Sequence, residues 1–348
     1  MISLDRSICN NFKAASSREW LETNGLGGFA MGTIPNAGTR RYHSLLTAAM
    51  KPPLGRIRTV AKFEERLIVN GTEYELSSNQ YPGSVYPTGF ELISEFRLDP
   101  FPIWRYEAGD IVIERKLFMI HGSNSTVCRW NVVAGKASVT LEVRPLVAFT
   151  DYHQLQHENS AFGVPYEESN GSVSLQPYRE QPKVFVSHNA INVAASGDWY
   201  RNFEYAIERE RGFEYHEDLF QPFVMTFDLA DAATVILSID NVATKDADKL
   251  ERDEIKRRRK LISTAGISDD DFTSQLALAA DQFIVKRGDG QTVIAGYPWF
   301  SDWGRDTMIA LPGLALATNR PKIAKAIILE FSKHISDGML ACGRIPFY

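Results

Sequence analysis

Three cysteines in 348 residues, Cys9, Cys128 and Cys342, are too few and too far apart for a disulfide framework, and they form no CxxC pair for a metal. Such usage fits a reducing, cytoplasmic setting. No apolar run approaches the ~18–20 residues that a membrane-spanning helix needs. The start, Met1-Ile-Ser-Leu-Asp5-Arg6, lacks the basic flank and apolar core of a secretory signal. A surplus of positive charge is missing too: 38 Lys+Arg against 43 Asp+Glu leave a net charge of −5, which argues against nucleic acid as a partner. No GxSxG elbow and no GxxxxGK[ST] loop occurs, which removes the simplest serine-hydrolase and phosphate-cradle readings. What is present is ordinary for a soluble protein, 44% hydrophobic and 23% charged, and the length predicts two domains.

The first two-thirds reads as β structure. Asn70-Gly71 stands between two alternating runs, a strong hairpin signal. Val139, Leu141 and Val143 alternate with Thr140, Glu142 and Arg144, the period of a half-buried strand. Further strands are expected over 110–120, 127–133, 183–188, 222–229 and 234–239. Many short strands without intervening helical patterns predict an antiparallel β-sandwich over residues 1–240.

The composition then changes. Thirteen of the sixteen residues from Lys245 to Lys260 are charged, eight basic and five acidic. Asp248/Arg252, Asp253/Arg257 and Glu254/Arg258 set an acid four residues before a base, so residues 241–267 are expected to form a solvated linker helix. From 268 to 348 the pattern is helical. Ser268 with Asp271 resembles a capping box, and Phe272, Leu276, Ala280, Phe283 and Ile284 share a face. Further helices are expected from about Thr307 to Thr318 and from Pro321, the latter carrying Ile323, Ile327, Phe331 and Ile335.

Two signals point to chemistry only weakly. Gly25-Leu-Gly27-Gly28-Phe-Ala30 matches a loose dinucleotide fingerprint, but Pro35 prevents the long helix that the motif must open. A tight turn or a close backbone approach is the better reading. His153 and His157 have the spacing of a zinc pair but lack the HExxH glutamate, and read as loop histidines. No metal and no organic cofactor is implied.

The segment Tyr297-Pro-Trp299-Phe300-Ser-Asp302-Trp303-Gly-Arg305-Asp306-Thr gathers four aromatic rings, two carboxylates and one guanidinium in eleven residues. Flat rings suit the apolar face of a pyranose, and acids with arginine bind its hydroxyls. A buried loop in which Asp302 or Asp306 pairs with Arg305 uses the same residues, and spacing alone does not separate the two.

Trp299 to Pro312, WFSDWGRDTMIALP, resembles the start of the catalytic domain of the prokaryotic glycogen debranching enzyme family, an amylo-α-1,6-glucosidase (α/α)6 barrel related to glucoamylases. Glu19-Trp-Leu-Glu-Thr-Asn-Gly25-Leu-Gly-Gly-Phe29, Thr39-Arg-Arg41-Tyr-His43, Trp199-Tyr-Arg-Asn-Phe-Glu-Tyr205 and Glu208-Arg-Glu-Arg-Gly212 are similar to that family's β-rich N-terminal domain. The resemblance covers nearly the whole chain.

The resemblance implies hydrolysis of α-1,6-linked glucosyl stubs on glycogen or a branched limit dextrin. The mechanism would be inverting, with one carboxylic acid and one carboxylate base. It places Trp299, Asp302, Trp303, Arg305 and Asp306 in substrate binding. Arg41, His43, Arg201, Asn202 and Tyr205 are accessory candidates. It also implies that the 81 residues from Ser268 hold only the opening helices of the barrel, because twelve helices need at least on the order of 130 residues. The acid and base are therefore expected beyond Tyr348, in a C-terminally truncated chain inactive by itself. Phe283, Ile327, Ile328 and Phe331 are then expected to leave apolar surface exposed. Two other readings stay open: a non-catalytic glucan-binding protein, and a glucoamylase-like hydrolase or phosphorylase of the same clan.

Overall fold

Val139, Leu141 and Val143 turn into the core while Thr140, Glu142 and Arg144 stay half-buried, so the two-residue period of this strand sets which face packs. The computed structural model describes residues 2–163, 165–169, 171–240, 244–266, 270–336 and 339–340. Among the described residues, two large sheets dominate the first 240 positions, and the pairings within them are antiparallel. One runs in the order Ile2–Asp5, Ile93–Leu98, Pro102–Ala108, Ile111–Met119, Ser125–Ala134, Ala233–Ser238, Val184–His188, Ser172–Leu175 and Tyr166–Ser169. The other runs Asn192–Glu204, His216–Asp228, Val139–Asp151, Leu54–Val69, Ser44–Lys51, Phe29–Thr33 and Glu19–Thr23, with Thr72–Glu75 also paired to Leu54–Val69.

Their inner faces share a core that includes Trp104, Trp130, Phe63, Leu67, Leu141 and Phe223. A charged pair lies inside it. Arg115 and Glu65, from opposite sheets, meet at 3.3 Å, and Trp130 Nε1 donates to Glu65 at 2.6 Å. Each partner satisfies a charge that burial would otherwise penalise heavily, and the pair bridges the two sheets.

The expected hairpin forms: Asn70 and Gly71, both with positive φ (49° and 83°), join Leu54–Val69 to Thr72–Glu75. Gly25 and Gly27 also have positive φ and turn Glu19–Thr23 into Phe29–Thr33. A strand, not a helix, follows them, so the glycines serve a tight turn.

The charged segment is the helix Ala247–Ala265, capped by the Asp246 carboxylate. Of the three expected acid–base pairs, Glu254–Arg258 forms at 2.9 Å. Asp248 instead reaches Arg129 of the sandwich, and Asp253 is taken by Lys249. The helix is docked on one side and not freely solvated: Leu250 and Ile255 pack with Phe101, Phe118 and Ile236.

Beyond it, the N-cap of the next helix, Asp271–Gln282, is Asp270, which accepts from the Thr273 amide; Ser268 lies outside the described residues. Phe272 and Leu276 are exposed, and Ile284 belongs to a hairpin, Ile284–Arg287 with Gly290–Val293, that the helical pattern conceals. The helix Gly304–Leu311 runs on into one wide turn over Pro312–Leu316, and Pro321–Ser332 follows. Here the expected exposure is corrected. Ile327 and Phe331 are buried against Val293, Leu311, Ala315 and Ala324, and Phe283 is partly covered, whereas Ile328 is exposed. No described helix is long and apolar enough to cross a membrane.

Candidate functional site

The aromatic segment leaves the Gly290–Val293 strand and folds back on itself. Ala295 donates to the Ser301 carbonyl, Phe300 donates to that of Gly296, and Ile294 bridges to Asp302. Its backbone is then fastened to the sandwich. Arg56 Nη1 donates to the carbonyls of Pro298 (3.3 Å) and Phe300 (3.1 Å), and Tyr152 Oη donates to that of Trp299 at 3.4 Å. Tyr297 packs edge-on against Phe29 at 5.7 Å, and burial pushes its hydroxyl up to about 12.

Between these parts lies a cleft of about 270 Å3. One wall is Trp299, Phe300, Ser301 and Trp303; the other is the end of two central strands of the sandwich, at 53–56 and 151–153. The size is just below that of typical small-ligand sites, which run from ~300 Å3 upward. Phe300 and Trp303 stand edge to face at 6.3 Å, and the Arg40 guanidinium lies 5.3 Å from the centre of the Trp299 ring. Asp151 is the single carboxylate among the lining residues.

The five expected substrate-binding residues divide. Trp299 and Trp303 line the cleft. Asp302 does not: its side chain is fully buried, with Oδ2 accepting from Arg287 at 2.5 Å and from Thr292 at 3.1 Å. That geometry makes it an anchor for the base of the loop. Arg305 and Asp306 occupy the first turn of Gly304–Leu311, 69% and 41% exposed and 3.9 Å apart, beside the cleft residue Trp303 and free of the pairing that holds Asp302.

None of the accessory candidates lines this cleft. Arg41 stands behind it, donating to the His153 carbonyl at 2.7 Å and pairing with Glu208. His43 accepts from the Thr39 amide and faces Glu19 at 3.0 Å. Burial raises the Glu19 carboxyl, but His43 and Arg40 outweigh that and hold it below its ordinary value. Tyr205 is buried against Glu217, and with His43 it borders a separate interior cavity of about 40 Å3. Arg201 pairs with Glu158 on the surface, and Asn202, at positive φ, donates its amide to Asp218.

The sequence reading missed Arg56, Asp151 and Tyr152, which build the opposite wall. No local pattern could have marked Arg56, since the carbonyls it holds lie more than 240 positions away.

A bacterial glucoamylase solved with acarbose is similar to the chain at 12% identity and a TM-score of 0.46, over 96% of this chain and 50% of the glucoamylase. A protein from the human microbiome described as a kojibiose phosphorylase matches at 10% identity and a TM-score of 0.32, over 76% of this chain and 36% of that one. The chain thus spans half the length, or less, of these solved structures. No curated protein matches. The amylo-alpha-1,6-glucosidase family model matches residues 278–342, and the model for the glycogen debranching enzyme N-terminal region matches residues 18–236, most of the chain. The chain therefore belongs to the glycogen debranching enzyme family.

Proposed function

We propose that this chain binds the terminal glucosyl unit of a branched α-glucan, as part of a cytoplasmic glucosidase that hydrolyses α-1,6-linked stubs with inversion. The observation that carries this reading is the pinned loop with Trp299 and Trp303 on one wall of a small cleft, inside the region that matches the glucosidase family. Stacking rings provide affinity for a pyranose face, and Arg305 and Asp306 are close in sequence and exposed enough to take its hydroxyls. An inverting pair needs two carboxyl groups ~6.5–9.5 Å apart across the sugar. The lining contributes only Asp151, so we assign these residues to binding and not to proton transfer.

The same observation favours a second reading, a chain that binds glucan without cleaving it. One experiment addresses both. Limit dextrin is titrated into the chain while tryptophan fluorescence is followed, and glucose release is assayed in the same samples. Saturable binding that Trp299→Ala and Trp303→Ala weaken supports the site. Absence of binding sinks it. Glucose release by the chain itself would overturn the assignment of these residues to binding alone.

A further inference from the structure

We propose that the sandwich is half of this sugar site: Asp151 is its specificity-determining ligand, and Arg56 is the positioning residue that sets the opposite, aromatic wall. The inference rests on the glucan reading above. It adds residues from a part of the chain outside the glucosidase match.

Asp151 ends the strand Val139–Asp151, and its Oδ1 accepts from the His153 amide at 2.9 Å. That bond fixes the carboxylate, and Oδ2 has no protein partner among the described residues. A carboxylate held this way at a cleft wall is an acceptor prepared for neighbouring hydroxyls. The turn behind it is held as well. Arg41 donates to the His153 carbonyl at 2.7 Å, and Tyr42 Oη meets His153 Nδ1 at 3.1 Å.

Arg56 is 2% exposed, and its hydrogen bonds among the described residues go to backbone carbonyls, not to a carboxylate. Its charge faces the two loop carbonyls and three aromatic rings, with Tyr297, Tyr152 and Phe29 centred 5.2, 5.3 and 5.8 Å away. A guanidinium buried without an acid relies on such acceptors, and here Nη1 alone meets them, Nε and Nη2 having no hydrogen-bond partner among the described residues. Arg56 and the loop therefore depend on each other, and the wall presented by Trp299 and Trp303 is set from the sandwich side. One carboxylate, Asp151, balanced in the lining by one guanidinium, Arg56, beside aromatic rings suits a neutral polyol.

The test uses this chain with isomaltose as the probe, read by tryptophan fluorescence, and amide hydrogen exchange without ligand. Asp151→Ala is expected to weaken isomaltose binding roughly tenfold or more while exchange at the Ala295 and Phe300 amides stays unchanged. Arg56→Met is expected to speed exchange at the Ala295 and Phe300 amides without changing exchange in the strands 111–147. Arg56→Lys, whose ammonium ends short of the position of Nη1 and lacks the planar group beside the rings, falls between. Binding lost in Trp299→Ala but unaffected in Asp151→Ala overturns the sandwich wall and leaves the glucan reading standing. No isomaltose binding by the unaltered chain overturns both. Tetramethylammonium bound in place of isomaltose overturns the sugar assignment. If Arg56→Met fails to fold, unchanged loop exchange in Arg56→Lys overturns the positioning role.

Discussion

Arg287 and Asp302 meet at 2.5 Å with both side chains out of solvent, so the base of the aromatic loop is closed by an ion pair between a hairpin strand and the turn before a helix. The pair is fixed further by Thr292, which donates to the same carboxylate oxygen.

Removing one partner leaves a buried charge uncompensated. Asp302→Leu and Arg287→Met are each expected to cost about 3–5 kcal/mol, against much less for the double replacement Arg287→Met/Asp302→Leu, which with the parent completes a cycle. Urea unfolding of the four species gives the coupling energy. Additive costs would show that the two do not act as a pair.

Arg305 and Asp306 sit three and four residues further on and behave differently because they are exposed. Arg305→Ala and Asp306→Ala are expected to leave stability within about 0.5 kcal/mol of the parent. Under the proposed function they weaken glucan binding. Trp303→Ala is expected to cost about 0.5–1.5 kcal/mol of affinity, roughly two- to twelvefold. Calorimetric titration beside thermal unfolding separates the two effects.

Glu254 makes the charged helix sensitive to acid through two pairs within the helix. Burial pushes its carboxyl up, but Arg257 and Arg258 outweigh burial and hold it below its ordinary value of 4.5. A group with a depressed folded-state pKa binds fewer protons folded than unfolded in that range. Its contribution is therefore present above pH ~4.5 and is lost as pH falls through the lower folded value. Glu254→Gln is expected to flatten the stability profile below pH 4.5. An unchanged slope would remove Glu254 from the account.

Gly27 has φ +92°, and a Cβ there would stand 2.9 Å from the backbone of Pro53, a cleft residue. Gly71 has φ +83° with open space around it. Gly71→Ala therefore carries conformational strain alone, about 1–2 kcal/mol, and Gly27→Ala is expected to cost about 1–3 kcal/mol more. Equal costs in denaturant titrations would mean that Pro53 yields without resistance.

The sandwich was legible because its signals are local. Asn70-Gly71 and the alternation through Val139, Leu141 and Val143 need no knowledge of distant residues. The cleft was only half legible. Trp299 and Trp303 stand out in a short, dense segment. Arg56 and Arg58 look like outward-facing strand residues, yet both are buried, because their partners, the loop carbonyls and Glu217, lie 159 or more positions away. Asp302 was misplaced for the same reason. Its partner Arg287 belongs to a hairpin that reads as helix, since Phe283 and Ile284 continue the spacing of Phe272 and Leu276.

Alongside the apolar packing of Leu250 and Ile255, the charged helix Ala247–Ala265 is held to the sandwich by a seam of polar contacts, Arg258 on Glu22 and the Pro100 carbonyl, Arg129 on Asp248 and Glu251, and Lys116 on Glu251. A seam of that kind responds to heat unlike an apolar one. The cost of stripping water from its charges falls as temperature rises, while the gain per unit of buried hydrocarbon levels off. On warming, these charged contacts are expected to weaken less than apolar ones, whereas added salt is expected to loosen the exposed pairs among them.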